Sequence, residues 1–176
     1  MTSRPAHTAT RAMPALGEPF HTGLVVPDID RALAEFRATF GGAWTPVEHV
    51  PLRLTGPDGP ARLELRLAFS RAGPHRFELI EAVPGTLWEA PATPDGQLWP
   101  LHHVGYYVQD LVAGSAELVA AGAPLVHTLD DGSGQVRFLA YHRAPSGLLI
   151  ELVDARARDA FASWFAGGSF PGGGGR

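Results

Sequence analysis

Leu101-His102-His103-Val104-Gly105-Tyr106-Tyr107-Val108-Gln109-Asp110-Leu111 is the stretch on which the reading of this chain turns. It runs like a strand into a helix start. It has a counterpart earlier on, Phe20-His21-Thr22-Gly23-Leu24-Val25-Val26-Pro27-Asp28-Ile29. With His21 set on His103, an offset of 103 − 21 = 82, Gly23 falls on Gly105, Val26 on Val108, Asp28 on Asp110 and Ile29 on Leu111. The match continues downstream. Phe77-Glu78-Leu79-Ile80-Glu81 resembles Ile150-Glu151-Leu152-Val153-Asp154 at an offset of 151 − 78 = 73. Each half therefore has a strand bearing His near its start and a strand bearing Glu among aliphatics near its end. The change of offset is explained by a longer hairpin in the first half. A repeat outranks any single motif as a clue to architecture, and two copies are too few for a solenoid, so the chain reads as a duplicated domain.

The elements between follow from pattern. Residues 20–26 alternate as a strand. Pro27-Asp28 opens a helix over about 28–40, with Asp28 or Asp30 as its cap. Ile29, Leu33, Phe36 and Phe40 form its apolar stripe, which should be buried on the sheet, and Gly41-Gly42 ends it. Strands are expected over 46–54 and 61–69 around the turn at 56–60, with Leu63, Leu65, Leu67 and Phe69 on one face and Arg62, Glu64 and Arg66 on the other. A fourth strand is expected at about 76–82. The second half repeats the order: strand 102–108, helix 110–121, strands near 124–129, 135–142 and 147–153, with turns at 132–134 and 145–147. A last helix, about 155–165, carries Phe161, Trp164 and Phe165 and should cap the sheet or support a dimer contact.

The organisation expected is a disordered tail over 1–18, a first module over 19–84, a linker over 85–100 pinned by Trp88 and Trp99, a second module over 101–154, the helix to 167 and a flexible Gly-rich end over 168–176. The fold class expected is α+β: two tandem β-α-β-β-β modules forming an open, mixed eight-stranded sheet cavity with helices outside.

Composition sets bounds. The 176 residues suit one domain or two tightly joined halves, and 45% hydrophobic content suffices for a core. A net charge of −4 without a basic cluster argues against nucleic-acid binding. No cysteine is present, which excludes disulfides and thiolate metal sites. No apolar run approaches a membrane span, and residues 1–18 lack the apolar region of a secretory signal. A cytoplasmic location, a small-molecule partner and compatibility with a homodimer are the resulting expectations.

Paired β-α-β-β-β modules with His on each first strand and an acid on each fourth strand resemble the vicinal oxygen chelate superfamily. That group includes glyoxalase I, methylmalonyl-CoA epimerase, extradiol dioxygenases and the fosfomycin and bleomycin resistance proteins. The resemblance covers residues 20–154. His102-His103-Val104 and Phe77-Glu78-Leu79-Ile80-Glu81 look most like the epimerase-like branch, in which the second His of the pair is the ligand. The resemblance implies a cavity around a divalent metal held by His21, Glu78, His103 and Glu151.

Alternation along the strands supports the same four residues. If His103 faces the cavity, so do Gly105 and Tyr107, and His21 shares its face with Gly23 and Val25. Glycine beside each His leaves room for something to approach the backbone. Glu78 and Glu151 fall on the inner faces of apolar strands, where a carboxylate is costly unless paired or metal-bound. Singly, each of the four reads as structural; as a repeated pair, they read as a metal site.

Other residues take weaker readings. His102 lies behind the ligands or faces solvent. His7, His49, His75, His127 and His142 read as structural, with His49 or His142 as pocket alternatives. Arg53 and Arg66, with Arg62, form a solvated strand face or clamp a substrate carboxylate. Tyr107 is pocket wall or a general-acid helper. Two imidazoles and two carboxylates leave open positions on Ni, Co, Mn or Fe(II), with Zn also compatible. Two such positions would chelate neighbouring substrate oxygens, and the resemblance implies Glu151 or Glu78 as proton shuttle. The function expected is that of a metal-dependent isomerase, epimerase or lyase. The alternatives are a non-catalytic drug- or metabolite-binding protein and an Fe(II) ring-cleaving dioxygenase.

Overall fold

The repeat-related aspartates start the two outer helices. Asp28 and Asp110 are both extended, and their side chains accept from the backbone N–H groups of Arg31 at 3.0 Å and Ala113 at 2.9 Å. Each thereby satisfies a donor that the first helical turn leaves free. The structure, a computed structural model, describes residues 16–90, 101–130 and 135–171. The expected tail up to residue 15, part of the linker with Trp99, the turn at 132–134 and the chain end from 172 lie outside the described residues.

The first half runs β1 (Glu18–Val26), α1 (Ile29–Phe40), β2 (Glu48–Gly56), β3 (Gly59–Phe69) and β4 (Arg76–Glu81). The second runs β5 (Leu101–Val108), α2 (Leu111–Ala120), β6 (Leu125–Leu129), β7 (Leu139–Arg143) and β8 (Leu149–Asp154). A 3-10 turn (Ala155–Ala157) then leads into α3 (Arg158–Phe165). In each half the first strand pairs in parallel with the fourth, and the remaining neighbours are antiparallel. The eight-stranded mixed sheet predicted by the repeat is present, with the helices outside. Its expected open edge closes: β1 pairs with β5, and β2 with β6 through Leu54↔Leu129 and Thr55↔Thr128. Hydrogen bonding across both module junctions thus makes a barrel, which removes the free sheet edges.

Alternation separates three cores. Leu24, Val26 and Leu79 face α1 with Ile29, Leu33 and Phe36. Val104, Tyr106, Val108 and Leu152 face α2 with Leu111 and Leu118. The barrel interior holds Phe20, Leu54, Leu65, Leu67, Phe69, Trp88 and Tyr141. Phe161, Trp164 and Phe165 of α3 join this interior cluster, so the last helix caps the barrel.

The helical stripe fails at one end. Phe40 is 68% exposed rather than buried. It is the last residue of α1, beyond the packed turns, and its ring lies 5.3 Å from Phe36 and 6.2 Å from Phe77 on the outer surface. In the second half β7 begins at Leu139, later than expected, just after Phe138 with its left-handed φ of 60°. That conformation is rare for a residue with a Cβ and breaks strand geometry.

Candidate metal centre

β1 and β5 run antiparallel with His21 opposite Gly105 and Gly23 opposite His103. The His-x-Gly pattern of each half is therefore one device used twice. Each imidazole lies across the glycine of the other strand. A Cβ added to Gly105 would stand 2.5 Å from Nδ1 and 2.8 Å from Nε2 of His21. One added to Gly23 would stand 2.6 Å from Nε2 of His103. The glycines make room for imidazole rings, where the sequence suggested room for a ligand.

Glu78 and Glu151 arrive from β4 and β8, the parallel neighbours of β1 and β5. All four side chains are buried. His21 Nε2 lies 2.8 Å from His103 Nε2, 2.9 Å from Glu151 Oε2 and 3.3 Å from Glu78 Oε2. His103 Nε2 lies 3.2 Å from Glu78 Oε2 and 3.4 Å from Glu151 Oε2. The four donor atoms lie within 4.8 Å of one another.

This donor set fits a divalent ion. Metal–ligand bonds of about 2.0–2.1 Å separate neighbouring donors by roughly 2.9–3.4 Å at angles between 90° and tetrahedral, close to the spacings observed. Two imidazole lone pairs 2.8 Å apart require a proton or a cation between them. Glu78 and Glu151 are carboxylates buried against those two nitrogens, a charge that an ion between the four donors would neutralise. Metal-free, protons serve instead. Burial opposes charge on His21, but the hydrogen bonds and charges of Glu151 and Glu78 outweigh it and raise the imidazole to about 9. His103 rises for the same reasons. Burial disfavours both carboxylates too, yet His103 and His21 hold Glu78 and Glu151 below the usual carboxylate range.

The site opens into a cavity of about 710 Å³ with mostly apolar walls, including Phe20, Leu67, Phe69, Trp88, Tyr141 and Phe161. Glu78, Glu151 and His21 are part of its lining. Arg53 lines it too, with an exposed side chain on β2. Arg66 does not. Leu65 and Leu67 take the inner face of β3, so Arg66 points outward, where it pairs with Glu81 and with Asp30 at 2.9 Å. Tyr107 does not line the cavity either. It faces inward but stacks on Phe20, with ring centroids 4.2 Å apart, and the Arg158 guanidinium lies over its ring. Burial pushes its phenol well up, so it stays protonated. His49 pairs with Glu64 at the surface, and His142 is buried with its Nδ1 2.9 Å from the Ala123 carbonyl, so neither lines the cavity.

Sequence reasoning missed Tyr141 and the part played by Trp88. Tyr141 faces Glu151 across the β7–β8 ladder, and its ring meets that of His103 at 5.3 Å. Burial, with the charges of Glu151 and Glu78, keeps its phenol protonated. The available signal was alternation in β7, where Leu139 and Tyr141 share a face.

Fold and site together define a duplicated β-α-β-β-β barrel with a buried two-His, two-Glu centre. The family model of the glyoxalase/bleomycin resistance protein/dioxygenase superfamily matches residues 20–141, and the chain belongs to that superfamily. Among solved structures, methylmalonyl-CoA epimerase from Mycobacterium tuberculosis superposes with a TM-score of 0.54 at 20% identity, covering 88% of this chain and 98% of that one. A Streptomyces coelicolor methylmalonyl-CoA epimerase variant in complex with 2-nitronate-propionyl-CoA gives 0.51 at 20%, covering 80% and 99%. A variant of 4-hydroxymandelate synthase from S. coelicolor gives 0.50 at 19%, covering 79% of this chain and 38% of that one. At these identities the likeness is one of fold. No curated protein sequence matches the chain. Among the described residues no helix is long and apolar enough to cross a membrane.

Proposed function

We propose that the chain is a metal-dependent isomerase, epimerase or lyase that moves a proton next to a carbonyl or thioester of a small molecule. The observation that carries this reading is the convergence of His21, Glu78, His103 and Glu151, all buried, at an apolar cavity. These residues would hold Ni, Co, Mn, Fe(II) or Zn. A divalent ion there supplies Lewis-acid polarisation of a substrate carbonyl. The chain's own residues do the rest. The apolar walls exclude water and bury the body of the substrate. Arg53 offers a cation to an anionic group at the mouth. Glu78 and Glu151 supply the base between them: one takes the proton alpha to the carbonyl and returns it, to either face for an epimerase. The fold likeness to two methylmalonyl-CoA epimerases supports the epimerase form of this reading.

The test is solvent deuterium exchange into a panel of 2-oxo acids, 2-hydroxy acids and acyl thioesters, read by mass spectrometry on metal-loaded protein. Glu78→Gln and Glu151→Gln keep a metal-capable oxygen but remove basicity. The one that carries the proton should bind metal yet lose about 10²–10⁴ in exchange rate. The cavity walls also suit a binding protein of the same fold. Tight binding of an apolar ligand without exchange of any proton would replace the catalytic reading with that one. Oxygen consumption with Fe(II) would replace it with a dioxygenase, which the fourth donor disfavours.

A further inference from the structure

His102 and His103 are neighbours in β5, and in a regular strand they would leave opposite faces. The β1–β5 ladder is irregular at this point. Gly23 pairs with His103, but Leu24 pairs with Leu101, so His102 is the extra residue of a bulge. Bulges re-aim side chains. Here the His102 ring comes round to its neighbour, placing its Nδ1 2.9 Å from Nδ1 of His103 and its Nε2 2.8 Å from the Leu87 carbonyl oxygen.

Proton bookkeeping fixes the tautomers. A carbonyl only accepts, so His102 Nε2 carries the proton and donates. The two Nδ1 atoms, 2.9 Å apart, share one hydrogen bond and hold one proton between them, and a neutral His102 has already placed its single N–H on Nε2. Its Nδ1 must then accept, and His103 Nδ1 must donate. A neutral His103 is left with its lone pair on Nε2, the atom aimed at His21, Glu78 and Glu151. The carbonyl is itself held. Trp88 N donates to Thr86 Oγ1 at 3.1 Å, Thr86 Oγ1 donates to Val83 O at 2.7 Å, and Val83 N donates to Trp88 O at 2.9 Å.

The first half lacks this arrangement. The offset of 82 sets Phe20 at the position of His102, and the ladder is irregular there too, between Pro19 and His21. Phe20 meets the His21 ring edge-on at 4.5 Å and offers no acceptor. His21 Nδ1 is buried without a hydrogen-bond partner. The duplicated site is thus symmetric in its ligands and asymmetric behind them.

We infer that His102 is a positioning residue: from its bulge it links the Leu87 carbonyl to His103 Nδ1, sets the tautomer that presents Nε2, and makes His103 the stiffer and His21 the more yielding imidazole. This rests on the metal-site reading above. The partner of a ligating imidazole commonly orients the ring and sets its tautomer.

The test uses the full chain with Zn²⁺ as probe and ¹⁵N-labelled histidine. Zn²⁺ affinity is read by competition with a chromogenic chelator. His102→Phe copies position 20 and should lose about 10–100-fold. His102→Gln, whose amide oxygen accepts from His103 Nδ1, should retain most of the affinity. Melting of both metal-free variants separates loss of the acceptor from loss of structure. In the Zn²⁺-loaded wild type, long-range ¹H–¹⁵N spectra should place the His103 proton on Nδ1, coupled across the hydrogen bond to a second imidazole nitrogen, with no such coupling for His21. Wild-type affinity in His102→Phe, or a His103 proton on Nε2, overturns the relay and leaves the metal site standing. A wild type that binds no Zn²⁺, Ni²⁺ or Co²⁺ overturns the metal site and the relay with it. If His102→Phe does not fold, the wild-type spectrum and the Gln variant decide.

Discussion

Replacing Gly23 or Gly105 by alanine tests how the two halves build one site. Neither glycine has a left-handed φ, so the substitution strains no backbone and its effect is steric. Ordinary contact for a Cβ begins near 3.4 Å, whereas the alanine methyl would stand 2.8 Å from Nε2 of His21 at position 105 and 2.6 Å from Nε2 of His103 at position 23, with other ring atoms nearer still. The nearest ring atom, Cε1, would stand 1.9 Å away at position 23 and 2.2 Å away at position 105, so each ring must retreat by about 1.2–1.5 Å, while metal–ligand distances tolerate about 0.2 Å. His103 has little room to yield, because it is fully buried and held by His102 at Nδ1. Overpacking of this kind costs about 1–3 kcal/mol, a fall in Tm of roughly 2–4 °C per kcal/mol for a chain of this length. Metal affinity should suffer more than stability. Loss of a supporting contact costs about 10–100-fold, and displacing the ligand itself should cost about 100-fold or more. Gly114→Ala is the control: its methyl meets Leu152 at an ordinary 3.4 Å inside α2. It should leave metal binding unchanged and stabilise by about 0.5–1 kcal/mol. The assays are calorimetric titration with Ni²⁺ or Zn²⁺ and thermal melting of the metal-free proteins. Wild-type metal affinity in both Gly23→Ala and Gly105→Ala would refute the cross-strand packing of imidazole on glycine.

In the proposed metal site, protons and metal would compete for His21. Its pKa of about 9 in the metal-free fold lies above the unfolded value of 6.5, so its charge stabilises fully below pH 6.5 and the contribution is lost as pH rises toward 9. Metal-free protein should therefore melt at lower temperature at pH 9 than at pH 6.5. Apparent metal affinity should rise over the same interval, with about one proton or more released per ion at pH 7.5, measured by titration in buffers of different ionisation enthalpy. Arg66→Ala should leave turnover unchanged and cost about 1 kcal/mol or less, because its partners Glu81 and Asp30 lie on the outer face; a large rise in KM would return it to the site. Trp164→Ala, at a position buried against Phe69 and Phe165, should cost about 3–5 kcal/mol in denaturant melts; a loss under 1 kcal/mol would mean that α3 does not seal the barrel.

The repeat at 21/103 and 78/151, with strand alternation, determined the two-module fold and named the residues that converge. Alternation tells which side of its own strand a residue takes, and that was enough to put His21, Glu78, His103 and Glu151 inside. It also set Arg66 opposite Leu65 and Leu67, which already weighed against a place in the cavity. Pattern cannot tell what stands across the interior, because that depends on a register between strands some 80 residues apart. Only the folded barrel set Gly105 against His21 and Gly23 against His103, stacked Tyr107 on Phe20 away from the cavity, and brought Tyr141 opposite Glu151. A period-2 reading also assumes a regular ladder. The bulge at His102 breaks that period, turns a residue expected behind the ligands or in solvent onto His103, and arises from pairing with a strand that the local sequence does not contain.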